Sequence, residues 1–168
     1  KDTISIRAPY WNGIIGLKSF KNVKEQKCLI ITRGISQAPS VPVAKKLKFS
    51  GNDVMVILDK GSSQTSYSKE YFEKLGCEII ESEIIKNRTF DENAKKMIDE
   101  IIKSQKIGFI FSGGSDILHR GVESIIKSAD YSIPFACTNN VNICCGEGIC
   151  GSCSIRLKDG RRIKACKA

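Results

Sequence analysis

The chain has 168 residues, of which 41% are hydrophobic and 27% are charged, and its formal net charge is +9. This length fits one domain of ordinary size with a small appendage. No apolar run approaches the ~18 residues that a membrane-spanning helix needs, so a membrane protein is not expected. The basic residues are dispersed beside acidic ones without interleaved aromatic residues, which argues against nucleic-acid binding.

The first 20 residues differ in pattern from the rest of the chain. Residues 4–7 alternate in the manner of a strand, and a loop containing Pro9 and Gly13 follows. The sequence supplies no partner strands for this segment, and it begins with Lys1 rather than Met. We therefore expect residues 1–20 to be the last strand and the exit loop of a domain that precedes this chain.

Residues 21–136 alternate between strand and helix patterns. Short, continuous apolar runs predict five strands that are buried on both faces. They lie at residues 28–31, 54–58, 77–80, 107–111 and 131–136. The segments between them predict helices, among them residues 41–49 and 67–75. Such alternation predicts an α/β fold with a five-stranded parallel sheet of the Rossmann-like, nucleotide-binding type.

Local signals add detail to these elements. Ser40 is a candidate N-cap of the helix at 41–49. Thr89 and Glu92 form a capping-box signature for the next long helix. The helix after Ser115 carries an apolar stripe that includes Ile117. Elsewhere, three cysteines lie among apolar residues, and we expect them to be buried as small hydrophobic side chains. They are Cys28, Cys77 and Cys137.

Four further cysteines form the most specific motif of the chain. Cys145, Cys150, Cys153 and Cys166 have the spacing C-x4-C-x2-C-x12-C. Its first part is the spacing of a plant-type [2Fe-2S] loop, in which four thiolates hold two irons. The glycines of this loop let the backbone curve tightly and direct its amides at sulfur.

Two other interpretations of the cysteines stay open, namely a structural zinc site and disulfides. A zinc site more often has two C-x2-C pairs, whereas only one is present here. Cys144 adjoins Cys145, but the x4 spacing favours Cys145 as the first ligand. After Cys153, alternating residues on both sides of Asp159-Gly160 predict a hairpin that returns Cys166 to the loop. Residues 137–168 are thus predicted to form a small [2Fe-2S] subdomain, and the reduced cysteines suggest a cytoplasmic protein.

Together these patterns resemble the electron-transfer subunit family of dihydroorotate dehydrogenase, within the ferredoxin reductase superfamily. The resemblance covers essentially the whole chain, and the cysteine segment is its specific part. It implies that the four cysteines of the motif are cluster ligands. It also places nucleotide contacts at three turns. These contain Asn12 and Gly13; Arg33, Gly34, Ser36 and Pro39; and Gly113 and Gly114.

The resemblance implies a function as well. In this family a flavin-binding barrel with FAD precedes the nucleotide domain, and electrons pass from NAD(P)H through flavin and cluster to a catalytic oxidoreductase subunit in a hetero-oligomer. This chain without the barrel is not expected to be an active oxidoreductase. Arg33 and Ser36 replace glycines of the family's phosphate turn, so NAD(H) binding and a decayed nucleotide site are both retained as alternatives. A zinc-stabilised docking module is the third. No catalytic role is expected for His119, the only histidine.

Overall fold

The computed structural model describes residues 3–5, 13–61 and 66–167. The chain divides into two compact units, a larger one of residues 16–138 and a smaller one of residues 1–15 together with 139–168. Within the described residues, no helix combines the length and the apolar character needed to cross a membrane.

The larger unit is built on parallel strands in the order β8-β7-β2-β3-β4. The strands are β2 Lys27–Arg33, β3 Asp53–Asp59, β4 Glu78–Glu81, β7 Phe109–Gly113 and β8 Phe135–Thr138. The chain therefore builds outward from β2 in one direction and then resumes with β7 on its other side. This order creates a topological switch point between β2 and β7, where α/β proteins bind ligands.

Helices cover the sheet, and their apolar residues form the core. They are α1 Leu17–Lys21, α2 Gln37–Phe49, α3 Lys69–Lys74, α4 Glu92–Gln105 and α5 Asp116–Ser128. Ile98 of α4 and Val122 of α5 pack with Leu29 and Met55 of the sheet in one buried cluster. On the opposite face, Phe109 contacts the ring of Phe20 in α1, with centroids 6.1 Å apart. The prediction of an α/β fold with a mostly parallel sheet is confirmed.

The start of α2 was predicted wrongly. The helix begins at Gln37 rather than at residue 41, directly after a 3-10 turn at Gly34–Ser36. Pro39 is compatible with this start because the first turn of a helix has no intrahelical partners for its N–H groups. Ser40 is consequently inside the helix and not its N-cap. Its hydroxyl donates to the Ser36 carbonyl oxygen at 2.7 Å.

The predicted capping box of α4 is also wrong. Thr89 belongs to β6 (Thr89–Phe90), which pairs antiparallel with β5 (Ile85–Lys86). The two residues between these strands, Asn87 and Arg88, have positive φ values of 48° and 59°. The N-cap is instead Asp91, whose carboxylate accepts from the Ala94 N–H at 3.0 Å. The short hairpin separates Thr89 from the helix, and Asp91 takes its place.

Burial corrects two of the predicted side-chain environments. Ile117 was placed in the apolar stripe of α5, but it is 40% exposed, while Leu118 and Val122 are buried. Cys28 and Cys137 are buried as predicted, and Cys77 is only half-buried. Burial raises the pKa of Cys28 to about 12 and that of Cys137 to about 11. These two thiols therefore stay protonated at neutral pH.

The smaller unit contains the short strand β1 (Ile14–Ile15) and a hairpin of β9 (Ser154–Arg156) and β10 (Arg162–Lys164). The hairpin is antiparallel and joins Ile155 to Ile163 at its centre, which confirms the predicted hairpin around Asp159-Gly160. Of the strand predicted at residues 4–7, positions 4 and 5 are not in a strand. Positions 6 and 7 lie outside the described residues.

Candidate functional site

The segment from Cys145 to Cys153 is an irregular loop in the smaller unit. Three glycines in it, Gly146, Gly148 and Gly151, have φ values of 68°, 76° and 75°. A side chain would strain the backbone at each of these positions, which explains why the motif has glycine there. The loop consequently turns its amides inward, which was the physical basis of the cluster prediction.

Cys145 lies where these amides converge. Its sulfur accepts a hydrogen bond from the Glu147 N–H at 3.3 Å. The backbone N–H of Cys150, together with those of Glu147 and Ile149, lowers the pKa of the Cys145 thiol to about 6. Because a thiolate is the ligand that binds a metal, Cys145 is prepared for coordination at neutral pH.

Cys153 and Cys166 form a second pair. The Cys166 N–H donates to the Cys153 sulfur at 3.4 Å. The Cys166 N–H and the Cys166 thiol both donate to the Cys153 sulfur and lower the pKa of Cys153. Because the Cys166 thiol donates its proton in this contact, the pKa of Cys166 is raised. Both sulfurs are buried in a small apolar cluster with Ala165, against which Val141 packs. The hairpin therefore brings Cys166 back to the loop, as predicted.

The four cysteines do not all meet. Across the described ranges 3–5, 13–61 and 66–167, no three Cys, His, Asp or Glu side chains converge as a set of metal ligands. Hydrogen bonds instead join Cys145 to Cys150 and Cys153 to Cys166. Cys144 also lies beside Cys150, since the charge of Cys150 and a hydrogen bond to it raise the pKa of the Cys144 thiol. The exclusion of Cys144 as a ligand stays a prediction.

The chemistry of these donors fits a [2Fe-2S] cluster. Such a cluster is anionic and takes two thiolates on each iron, with N–H groups directed at the sulfurs. The loop offers two pairs of thiols, and one thiol of each pair has a lowered pKa because amides donate to it. The loop and the hairpin thus supply four sulfur donors, two of them with lowered pKa values, and N–H groups that donate to sulfur.

The predicted nucleotide residues of the larger unit lie together at the carboxyl edge of the sheet. Thr32 of β2 is paired with Gly113 of β7, so the turns after these two strands are neighbours. Arg33 and Gly34 follow Thr32 directly, and Gly114 follows Gly113. This edge is the switch point between β2 and β7, and we call it the rim.

The other predicted nucleotide residues are placed as follows. Ser36 ends the 3-10 turn and Pro39 lies in the first turn of α2, both next to the rim. Gly13 belongs to the smaller unit, where its carbonyl oxygen accepts from the Asn139 N–H at 3.0 Å. Asn12 lies outside the described residues.

Packing within the protein explains why residue 113 is a glycine, without any ligand. A Cβ atom at this position would lie 2.3 Å from Ser40 Oγ and 2.9 Å from Thr32 Oγ1. Ser40 Oγ and Thr32 Oγ1 in turn lie 2.9 Å apart, within hydrogen-bond distance. Protein hydroxyls therefore fill the space beside Gly113.

Arg33 is held by an ion pair at the same rim. Its Nε donates to Asp59 Oδ2 at 3.1 Å. Asp59 is 1% exposed and also accepts backbone N–H bonds from Ile84 at 2.9 Å, Ile85 at 3.1 Å and Gly61 at 2.8 Å. Both carboxylate oxygens are thus engaged by donors from three segments of the chain. In dinucleotide-binding folds an acidic residue in this region accepts from a ribose hydroxyl, but Asp59 already has four donors.

A cavity of about 230 Å³ adjoins this network, between the turns after β3 and β4. Its lining includes Lys60 and Glu81, which form an ion pair at 2.9 Å. Glu83 and the buried Asp59 add further carboxylates. The volume is below the ~300–1,000 Å³ of typical small-molecule pockets.

His119, for which the sequence predicts no catalytic role, lies at the carboxyl ends of two neighbouring strands. Its Nδ1 is 2.8 Å from Ser112 Oγ, and its Nε2 is 3.2 Å from Thr138 Oγ1. Thr138 Oγ1 also accepts from the Gly114 N–H at 3.3 Å, so the ring connects the ends of β7 and β8. Burial lowers the pKa of His119. Local sequence signals do not mark this bridge, because it depends on β7 and β8 being neighbouring strands.

Comparison with known proteins finds relatives that are electron transfer subunits of dihydroorotate dehydrogenase B. No protein-family model matches the chain. A probable dihydroorotate dehydrogenase B (NAD(+)) electron transfer subunit of Methanocaldococcus jannaschii is 25% identical over 167 residues, which are 99% of this chain and 60% of that protein. The corresponding subunit of Clostridium acetobutylicum is 25% identical over 169 residues, covering 99% of this chain and 61% of that protein.

A solved structure is similar in fold. It is a chain of an NADH-dependent reduced ferredoxin-NADP oxidoreductase, described in connection with flavin-based electron bifurcation. The TM-score is 0.68 at 19% identity, over 85% of this chain and 51% of that one. This chain spans about three fifths of the length of the curated relatives. The resemblance to electron-transfer subunits of dihydroorotate dehydrogenase is thereby confirmed over nearly the whole of this sequence.

Proposed function

We propose that the chain carries electrons through a [2Fe-2S] cluster held by Cys145, Cys150, Cys153 and Cys166. The observation that carries this proposal is the amide-lined position of Cys145, whose thiol pKa falls to about 6. A cluster held there would transfer one electron at a time. The chain would position the cluster and set the polarity of its surroundings.

Each residue then has a definite part. Cys145 and Cys150 would bind one iron, and Cys153 and Cys166 the other, because these are the pairs that already touch. The Glu147 amide stabilises negative charge on the Cys145 sulfur. On the other side, the burial of Cys153 and Cys166 excludes water from two of the four sulfurs.

The relatives' names and the family resemblance together suggest the cofactor and the partner. We infer that the chain works within an electron-transfer subunit that contains FAD and delivers electrons to a catalytic oxidoreductase subunit in a hetero-oligomer. The substrate class suggested by the relatives' names is dihydroorotate.

A second candidate differs only at the rim: a redox subunit that no longer binds NAD(H). Two contacts favour it. Arg33 is tied to Asp59 rather than free to meet a phosphate, and the space beside Gly113 is filled by Ser40. Backbone amides hold a pyrophosphate only where side chains leave room for it. Calorimetry with NADH tests this candidate, and no heat of binding is expected.

The test of the main proposal is metal analysis of protein prepared without oxygen. Equal amounts of iron and acid-labile sulfide, with a brown colour, are expected. Cys150→Ser should lose both, whereas Cys77→Ser, a half-buried thiol in the other unit, should keep both. Circular dichroism of the two variants separates cluster loss from unfolding. Stoichiometric zinc in a colourless protein would instead establish the docking module.

A further inference from the structure

The β9–β10 hairpin presents a charged face to solvent. Arg156 lies directly opposite Arg162, and Ser154 lies opposite Lys164. Because side chains alternate along a strand, these four residues share one face, and all four are exposed. We call Arg156, Arg162 and Lys164 the cationic face.

The opposite face of the hairpin packs on the cysteines. Ile155, between Ser154 and Arg156, contacts the buried cluster that contains Cys153 and Cys166. The cationic face is therefore separated from two of the proposed cluster ligands by the thickness of one hairpin.

This arrangement of charge is unfavourable for the chain alone. Like charges directly opposite each other destabilise an antiparallel pair. Over the part of the chain that the structure describes, neither Arg156 nor Arg162 forms an ion pair. Residues 139–168 contain six basic and two acidic side chains, a net charge of +4. An acidic partner would supply negative charge opposite Arg156 and Arg162.

An apolar side chain lies beside the cationic face. Ile149, in the cysteine loop, is 81% exposed. Its neighbour Gly148 accepts a hydrogen bond through its carbonyl oxygen from the Lys164 ammonium group. The cationic face and the loop are thus continuous. An exposed apolar residue bordered by charges has the composition of a protein-binding surface.

We propose that the cationic face and Ile149 form a docking surface for an acidic electron-transfer protein, one whose redox centre is surrounded by carboxylates. This inference builds on the proposed function, because the surface adjoins the cysteine loop. Charge complementarity of this kind speeds encounter and fixes orientation. Nucleic acid is the less suitable occupant, because residues 139–168 contain no Phe, Tyr, Trp or His for stacking on bases.

The experiment measures the affinity of the full chain, loaded with iron and sulfide, for an acidic plant-type ferredoxin at low and high salt. The test variant is Arg156→Gln/Arg162→Gln. The control is Lys46→Gln/Lys96→Gln, which removes the same charge from exposed helix positions of the larger unit. The test variant should bind about tenfold more weakly at low salt, while the control should change less than about twofold. Ile149→Ser should weaken binding at both salt concentrations.

The outcomes are distinguishable. Equal losses in test and control variants, or no binding of ferredoxin to the unaltered chain, would overturn the proposal. So would tighter binding of a single-stranded DNA oligomer that depends on the cationic face. Iron and sulfide are measured in each sample. If the protein binds no iron and sulfide but still binds ferredoxin through the cationic face, the docking surface is supported and the cluster is refuted. If the cluster is complete but ferredoxin binding does not depend on the cationic face, the cluster is supported and the docking surface is refuted.

Discussion

Replacement of Asp59 by Asn tests the network that holds the rim together. The Asp59 carboxylate accepts from Arg33 Nε and from three backbone N–H groups, those of Ile84, Ile85 and Gly61. An Asn side chain has one oxygen and one NH₂ group. Whichever way it is oriented, its NH₂ group faces at least one of these donors.

The cost follows from the contacts. With the oxygen of the new Asn placed toward Ile84 and Ile85, the Gly61 N–H loses its acceptor and faces a donor. The remaining bonds lose the contribution of the charge, which roughly halves a charge-assisted hydrogen bond. One unmade, partly buried bond and three weakened ones give about 2–4 kcal/mol of lost stability. Arg33 is partly exposed, so solvent screens its share, and Arg33→Ala should cost about 1 kcal/mol or less.

Urea unfolding followed by circular dichroism measures this loss. Asp53→Asn is the matched control, because Asp53 begins the same strand, is exposed, and undergoes the same change of charge. Its free energy of unfolding should stay within about 0.5 kcal/mol of the unaltered chain. If Asp59→Asn and Asp53→Asn unfold at the same urea concentration with the same slope, the network does not stabilise the rim and the reasoning is wrong.

Three further results are expected. Gly113→Ala should destabilise the chain by about 1–3 kcal/mol in urea unfolding, and Ser40→Ala in the same chain should recover part of that loss; strict additivity would contradict the close contact. Cys145→Ser should lose iron and sulfide whereas Cys144→Ala keeps them; the reverse would shift the ligand set by one residue. The pKa of His119 is lower in the folded chain than its ordinary value of 6.5, so stability should be complete above that pH and fall below it. His119→Gln should flatten this dependence, and an unchanged pH profile would refute the assignment.

The predictable features of this chain were those encoded by neighbouring residues. Apolar runs identified β2, β3, β4 and β7, whereas the strand predicted at residues 131–136 begins only at Phe135. The glycines of the cysteine loop have the positive φ angles expected of them. Helix N-cap predictions, which depend on only a few residues, were wrong where the helix could start at more than one position. Ser40 resembles an N-cap, but the 3-10 turn at Gly34–Ser36 lets α2 start earlier. Thr89 resembles another, but the unrecognised hairpin before Asp91 moves the cap by two residues.

Contacts between distant residues could not be predicted in this way. Asp59 and Ile85 are 26 residues apart, and nothing local marks the carboxylate as an acceptor for that backbone. The bridge that His119 makes between Ser112 and Thr138 likewise depends on β7 and β8 being neighbours. Such contacts follow from strand order, which periodicity alone does not provide.

The contrast between the thiols has a consequence for how the protein withstands oxidants. Burial keeps Cys28 and Cys137 protonated, with pKa values of about 12 and 11, whereas Cys145 ionises near pH 6. Since thiolates react with peroxides and electrophiles far faster than thiols, Cys145 in the loop should react before Cys28 and Cys137 when no cofactor is bound. A sulfenic acid or mixed disulfide there can be reduced again, while the sheet that supports the fold is spared. The thiol that oxidants attack most readily is thus one that would also bind the cofactor, and its oxidation can be reversed before the cofactor is loaded.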